Sequence, residues 1–234
     1  MKRFYKEVSV AAVDGGFAVL LDCKPVKTPG RNVLILPTEK LAVAIASEWR
    51  SQGDEIIPTN MPLLRLANTV IDGIAANRAD VIGAILRFGE NDLLCYRAHQ
   101  PLELVSRQRT GWDPWLEWAR EKHGAGMAVG EGLTHVDQTP EALTALRRAL
   151  EDFDAFTLGG LHVVASITGS TVLALAVAAG EISGAQAFEL SRIDEIYQAE
   201  KWGEDAEAVK RAAALAHELD KAVELIATIS RESR

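Results

Sequence analysis

The sequence predicts an α+β fold: a small β-rich N-terminal domain over residues 1–62, followed by a larger all-helical C-terminal domain over residues 63–234. Two observations carry this. Short apolar runs separated by turn residues fill the opening stretch. From Pro62 onward, apolar residues recur at helical spacing almost without interruption. Strand-like and helix-like segments are therefore segregated along the chain, the pattern of a sequential α+β arrangement.

In order, Tyr5, Val8, Val10 and Val13 precede the turn signal Asp14-Gly15-Gly16, and the apolar run Phe17 to Leu21 follows it, which predicts a hairpin. Pro25 and Pro29-Gly30 punctuate the next stretch, and Val33-Leu34-Ile35-Leu36 reads as a short buried strand stopped by Pro37. Leu41, Ile45 and Trp49, with Ala42 and Ala46 beside them, then predict a helix that Thr38 caps and that ends near Gly53. Ile56-Ile57-Pro58 reads as an extended connector.

Several later helices mark their own starts. Thr139-Pro140-Glu141 combines an N-cap, a proline at the first helical position and an acid suited to the helix dipole. Ser183 with Gln186 fits a capping box. Gly124 to Gly132 reads as loop, and Asp205 to Ile229 as an Ala-rich helix with Lys, Glu and Asp on its outer face.

A chain of 234 residues buries roughly 70–75% of its unfolded surface, so no disulfide or metal is needed to hold it together. With 33 acids against 25 basic residues, the net charge of −8 argues against nucleic acid and anionic lipid as partners. Cys23 and Cys95 lack the spacing of a zinc or redox site, and both are expected as buried thiols in a reducing compartment. The start of the chain enters strand-like sequence directly, so neither an export signal nor a transit peptide is expected. Leu161 through Ala179 carries no charge and approaches the length of a membrane span. Its polar residues and the lack of flanking Lys or Arg predict instead one buried helix at the centre of the helical domain, although a membrane-associated protein using this helix is a competing reading.

Catalytic motifs are missing. No phosphate loop, nucleophile elbow or zinc-protease helix is present, and the five histidines stand singly. The glycines from Gly124 to Gly130 lack the spacing of a dinucleotide turn. The alternative to a non-enzyme is a small-molecule enzyme with a composite site near Asp92, Arg97, Arg107 and Gln108.

Trp112, Trp115 and Trp118 recur around Pro114, with Asp113 placed to cap a helix that Pro114 starts; such rings usually serve the core. The helix after Ser183 is more informative, because it has two apolar faces. Leu190, Ile193 and Tyr197 form a stripe for the core, while Phe188, Glu195 and Trp202 stand seven residues apart on the opposite side. A carboxylate between two large rings either finds an internal partner or belongs to a surface that receives another protein.

A set of longer segments runs through the chain: Arg3-Phe4-Tyr5-Lys6, Leu21-Asp22, Pro25-Val26-Lys27-Thr28-Pro29-Gly30-Arg31, Glu48-Trp49, Met61-Pro62-Leu63 and Arg65-Leu66-Ala67-Asn68-Thr69. It continues with Asp92-Leu93-Leu94-Cys95-Tyr96-Arg97-Ala98, Arg107-Gln108, Trp112-Asp113-Pro114, Thr168-Gly169-Ser170, Glu195-Ile196-Tyr197-Gln198 and Lys201-Trp202-Gly203. On these segments the chain resembles, over essentially its whole length, the ATP synthase assembly chaperones of mitochondria and alphaproteobacteria that bind the alpha subunit of the catalytic head.

The resemblance implies no cofactor, no catalytic or metal-binding residues, and a client protein as the ligand: the unassembled alpha subunit, held until the beta subunit replaces it. It implies that Glu195 matters for chaperone action and that Trp49 has a structural role between the two domains; the helix line itself makes Phe188 and Trp202 the expected client contacts beside Glu195, and Trp112 and Asp113 are expected to be structural. A monomer in the bacterial cytoplasm, or in the mitochondrial matrix for eukaryotic relatives, completes the expectation.

Overall fold

The computed structural model describes residues 1–132 and 134–229. A hairpin opens the fold: β1 (Val8–Val13) pairs antiparallel with β2 (Gly16–Leu21), Val8 opposite Leu21, and Gly15 and Gly16 supply positive φ at the turn. β3 (Lys24–Pro25) and β4 (Ile35–Leu36) both pair antiparallel with β2. The strand expected over Val33 to Leu36 is thus shorter than its apolar run, with Val33 bridging Lys27 instead.

Helix α1 (Glu39–Arg50) packs its apolar stripe on this sheet, its first turn capped by Thr38 Oγ1, which accepts from the Leu41 amide at 3.2 Å. The same hydroxyl donates to the Thr228 carbonyl at 2.8 Å, on the last described helix. Glu48 fastens α1 to α2 (Pro62–Thr69): its two carboxylate oxygens accept from the Leu63 and Leu64 amides at 2.8 and 2.9 Å, two of the donors that a helix start leaves unpaired. Burial nevertheless pushes the Glu48 carboxyl up.

After one π-helical turn (Val70–Ile74), the chain forms α3 (Arg78–Glu90), the two-residue β5 (Tyr96–Arg97), α4 (Leu102–His123), the two-residue β6 (Gly130–Glu131), α5 (Pro140–Glu151), α6 (Ala155–Thr168), α7 (Thr171–Ala178), α8 (Gly184–Leu190), α9 (Ile193–Trp202) and α10 (Ala206–Ile229). Two apolar clusters form. The first joins the sheet, α1 and α2, and takes in Leu225 from α10; the second is built from α3 to α8 and α10, with α6 and α7 at its centre. Gly159 and Gly160 let α6 approach its neighbours, because a Cβ at Gly160 would stand 2.6 Å from Ile226 and one at Gly159 2.7 Å from Val70.

The structure corrects four expectations. Leu161 to Ala179 is not one helix: Gly169 takes φ 67° and Ser170 caps a new start by accepting from the Leu173 amide at 3.0 Å, so α6 and α7 are separate. Asp113 and Pro114 do not start a helix; they lie inside α4, whose buried Leu104, Gln108, Trp112 and Ala119 continue along one face on both sides of the proline. Cys23 is exposed, because Asp22 and Cys23 form a two-residue turn with φ 45° and 65° that holds the thiol at the tip between β2 and β3. Within the expected Gly124 to Gly132 loop, Gly130–Glu131 pairs parallel with Tyr96–Arg97.

Among the described residues, no helix is long and apolar enough to cross a membrane, and no three His, Cys, Asp or Glu side chains stand close enough to hold a metal ion.

Candidate functional site: an open groove between α9 and α10

The helix expected from Ser183 onward is two. The capping box forms, with Ser183 Oγ accepting from the Gln186 amide at 3.2 Å and Gln186 Oε1 accepting from the Ser183 amide at 2.9 Å. α8 then ends at Leu190, and α9 restarts at Ile193 after a bend through Ser191 and Arg192. Phe188 therefore stands on a different helix from Glu195 and Trp202, yet all three line one groove of about 920 Å³.

The groove owes its place to the way α9 is held. One face of α9 is clasped to α4: Gln108 Nε2 donates to Asp194 Oδ1 at 2.6 Å, Arg107 pairs with Glu200 at 2.7 Å, and Lys201 pairs with Glu103 at 2.8 Å. Tyr197 is buried among these charges, with the Arg107 guanidinium 5.2 Å and the Lys201 ammonium 5.1 Å from its ring centre. At 100° per residue, Glu195, Ala199 and Trp202 fall on the opposite side and face away from the clasp.

α10 forms the other wall. Gly203, at φ 94°, ends α9 by donating its amide to the Ala199 carbonyl at 2.8 Å, and Asp205 caps α10 by accepting from the Glu207 and Ala208 amides at 2.7 and 3.0 Å. Those two amides hold the Asp205 carboxyl below the usual range. Ala208, Val209 and Ala212 of α10 face the groove, and their small side chains leave it wide.

Trp202 is 78% exposed at the mouth. Phe188 is half-buried, with the Arg192 guanidinium 5.4 Å from its ring centre. Glu195 is exposed and makes no hydrogen bond or ion pair among the described residues. Among the described residues neither an arginine nor a backbone amide pairs with the Glu195 carboxylate, although Arg192 lines the same groove.

The other singled-out residues lie elsewhere. Trp49 sits in the first apolar cluster, its carbonyl accepting from the Tyr5 hydroxyl at 2.6 Å and its ring meeting the Tyr5 ring edge-on at 5.4 Å. Trp112 is buried in the second, its Nε1 donating to the Leu190 carbonyl at 2.8 Å, which anchors the end of α8 on α4. Asp113 pairs with the buried Arg97 at 2.8 Å.

The four residues of the enzyme alternative are each engaged in holding the fold together, Arg107 and Gln108 both against α9. Asp92 accepts from the Leu94 and Val172 amides at 3.1 Å each, and burial pushes its carboxyl up to about 6. Arg97 pairs with Asp113, Arg107 with Glu103 and Glu200, and Gln108 bridges the Ala98 amide and Asp194. None of the four lines the groove. Sequence reasoning had no access to the clasp, since all three of its pairs join residues more than eighty positions apart on two different helices.

The whole-chain comparisons agree with this architecture. A family model described as ATP12 chaperone protein matches residues 2–120. The chain is 25% identical to the mitochondrial protein atp12 of Schizosaccharomyces pombe over 223 residues, covering 89% of this chain and 76% of that protein. The crystal structure of Atp12 from Paracoccus denitrificans superposes with a TM-score of 0.94 at 40% identity, covering 98% of both chains. That of Atu1473, a putative chaperone from Agrobacterium tumefaciens, superposes with the same TM-score at 43% identity, covering 98% of this chain and 86% of that one. A matching family model over half the sequence and full-length agreement in fold together place this chain in the ATP12 chaperone family.

Proposed function

We propose that this protein holds the unassembled alpha subunit of the ATP synthase catalytic head, keeping it from aggregating until the beta subunit takes its place, and that the α9–α10 groove is where the client docks. The observation that carries the reading is an exposed tryptophan and an unpaired carboxylate set beside an apolar groove, in a member of a chaperone family. Exposed aromatic anchors next to apolar surface are typical of protein interfaces.

A subunit waiting to join a ring exposes an obligate interface, which is large and apolar and prone to self-association. A holder needs only to cover that surface reversibly. The beta subunit's larger interface supplies the free-energy difference for release, so neither ATP nor another cofactor is called for. In this reading the protein acts as a cytoplasmic monomer, with Phe188 and Trp202 as anchors and Glu195 as the polar contact, while Trp49, Trp112 and Asp113 support the fold. No specific observation favours the enzyme alternative.

The test is co-expression of the tagged protein with isolated alpha and beta subunits, followed by size exclusion. A complex with alpha that dissolves when beta is added is the expected result, and binding to neither subunit overturns the reading. Trp202→Ala is expected to weaken the complex by about tenfold or more, the range of an interface anchor, without moving the thermal midpoint.

A further inference from the structure

The rim of the groove has a strong charge bias. Glu189, Glu195, Glu200, Glu204 and Asp205 line it, against the single cation Arg192, whose guanidinium lies over the Phe188 ring. Glu200 is already neutralised by Arg107, but Glu189, Glu195 and Glu204 are exposed and have no ionic partner among the described residues. Between these acids the surface is apolar: Phe188, Ile196, Trp202 and Val209, with alanines filling the floor.

Resting on the client reading above, we infer that the segment of the client seated here is basic as well as apolar: a stretch whose hydrophobic residues are flanked by lysines or arginines that meet Glu195 and Glu204. Each unpaired carboxylate beside an apolar, partly dry surface rewards an opposite charge and penalises a like one. A second copy of this chain fits poorly, since two acidic grooves would face each other and the whole chain carries a net charge of −8. The ten residues of α9 run for about 15 Å, which matches a short helical client segment lying along the groove.

This arrangement makes recognition weaken with salt and with charge reversal, where a purely hydrophobic contact is not weakened by salt. It also gives the chaperone a means of discrimination, because an exposed apolar surface without basic residues would be refused.

The decisive experiment measures affinity for the isolated alpha subunit, at low and high salt, for the wild type, for Glu195→Lys/Glu204→Lys, for Glu195→Gln/Glu204→Gln and for Glu7→Lys/Glu55→Lys. The last variant changes net charge equally but lies on the N-terminal part of the fold. Reversal at the groove is expected to weaken binding by about a hundredfold and to invert the salt dependence, whereas neutralisation removes most of it. Neutralisation should cost about tenfold, and the distant reversal less than threefold; thermal midpoints within a degree or two of wild type establish that every variant is folded.

In parallel, a benzophenone amino acid at Val209 should cross-link to an alpha-subunit segment carrying at least two Lys or Arg among apolar residues. Cross-linking to an acidic or uncharged segment, or to a second copy of this chain, overturns the inference. So does unchanged affinity of the groove reversal while alpha still binds, a result that leaves the chaperone reading standing. Failure of the wild type to bind alpha at all removes both.

Discussion

Gln108 Nε2 donates to Asp194 Oδ1 at 2.6 Å while the same side chain's Oε1 accepts from the Ala98 amide at 2.7 Å, so one amide fixes both the loop before α4 and the first turn of α9. Gln108 is almost completely buried. Gln108→Ala leaves the half-buried Ala98 amide and the Asp194 carboxylate without this partner and is expected to cost about 1–3 kcal/mol of stability. Because the clasp orients the groove, this variant should also loosen client binding. Urea denaturation together with the client-binding assay checks both effects, and an unchanged midpoint would refute the role.

Asp92 makes stability depend on pH in an unusual direction. Burial raises its carboxyl from 3.8 to about 6, so in that interval the folded state holds a proton that the unfolded chain has released. Stability therefore falls as pH rises through the window, by roughly 3 kcal/mol at about 1.4 kcal/mol per unit. Asp92→Asn should be less stable at low pH, since its new NH₂ faces amide donors, yet should lack this slope. Denaturation measured from pH 4 to pH 7 in both proteins gives the difference curve; a flat difference would contradict the assignment.

Two glycine-to-alanine substitutions in helices should have opposite signs. A Cβ at Gly160 meets Ile226 at 2.6 Å and the Ala222 backbone carbonyl at 3.0 Å, whereas one at Gly83 meets nothing within 4 Å. Gly83→Ala is expected to stabilise by up to about 1 kcal/mol through helix propensity. Gly160→Ala is expected to destabilise by about 1–3 kcal/mol, because α6 and α10 must be forced apart. Thermal melts of the two variants decide the matter.

The two thiols should react at very different rates. Cys23 stands exposed in its turn, while burial, reinforced by the Asp92 charge, pushes the Cys95 thiol up to about 12. Ellman's reagent should titrate one thiol per chain in the folded protein and both in guanidinium chloride. Rapid reaction of two thiols under native conditions would show that Cys95 is more accessible than its surroundings imply.

What was legible in the sequence was local. Thr38, Thr139 and Ser183 each mark a helix start because capping needs only a side chain and an amide two or three residues on. The first hairpin is written in Asp14-Gly15-Gly16 for the same reason. Phe188, Glu195 and Trp202 were grouped on the assumption of one helix; the structure brings them to one groove across a bend, so the grouping survives while its geometry changes.

Where tertiary packing outweighed local preference, the reading failed. Pro114 reads as a helix start, but the buried row of Leu104, Gln108, Trp112 and Ala119 carries α4 through it. Thr168, Gly169 and Ser170 looked like polar dilution of an apolar helix, and are instead the hinge between two. Cys23, apolar by composition, was assigned to the interior when the backbone of its turn decides otherwise.

The hydroxyl of Thr38 and the carbonyl of Thr228 are separated by 190 positions and joined by one hydrogen bond, and Leu225 from the same helix completes the apolar cluster beneath the sheet. During synthesis the sheet and α1 leave the ribosome long before α10 exists, with part of their apolar surface still uncovered. The first apolar cluster thus stays open at one end for most of translation, and it is closed by the same helix that builds one wall of the groove.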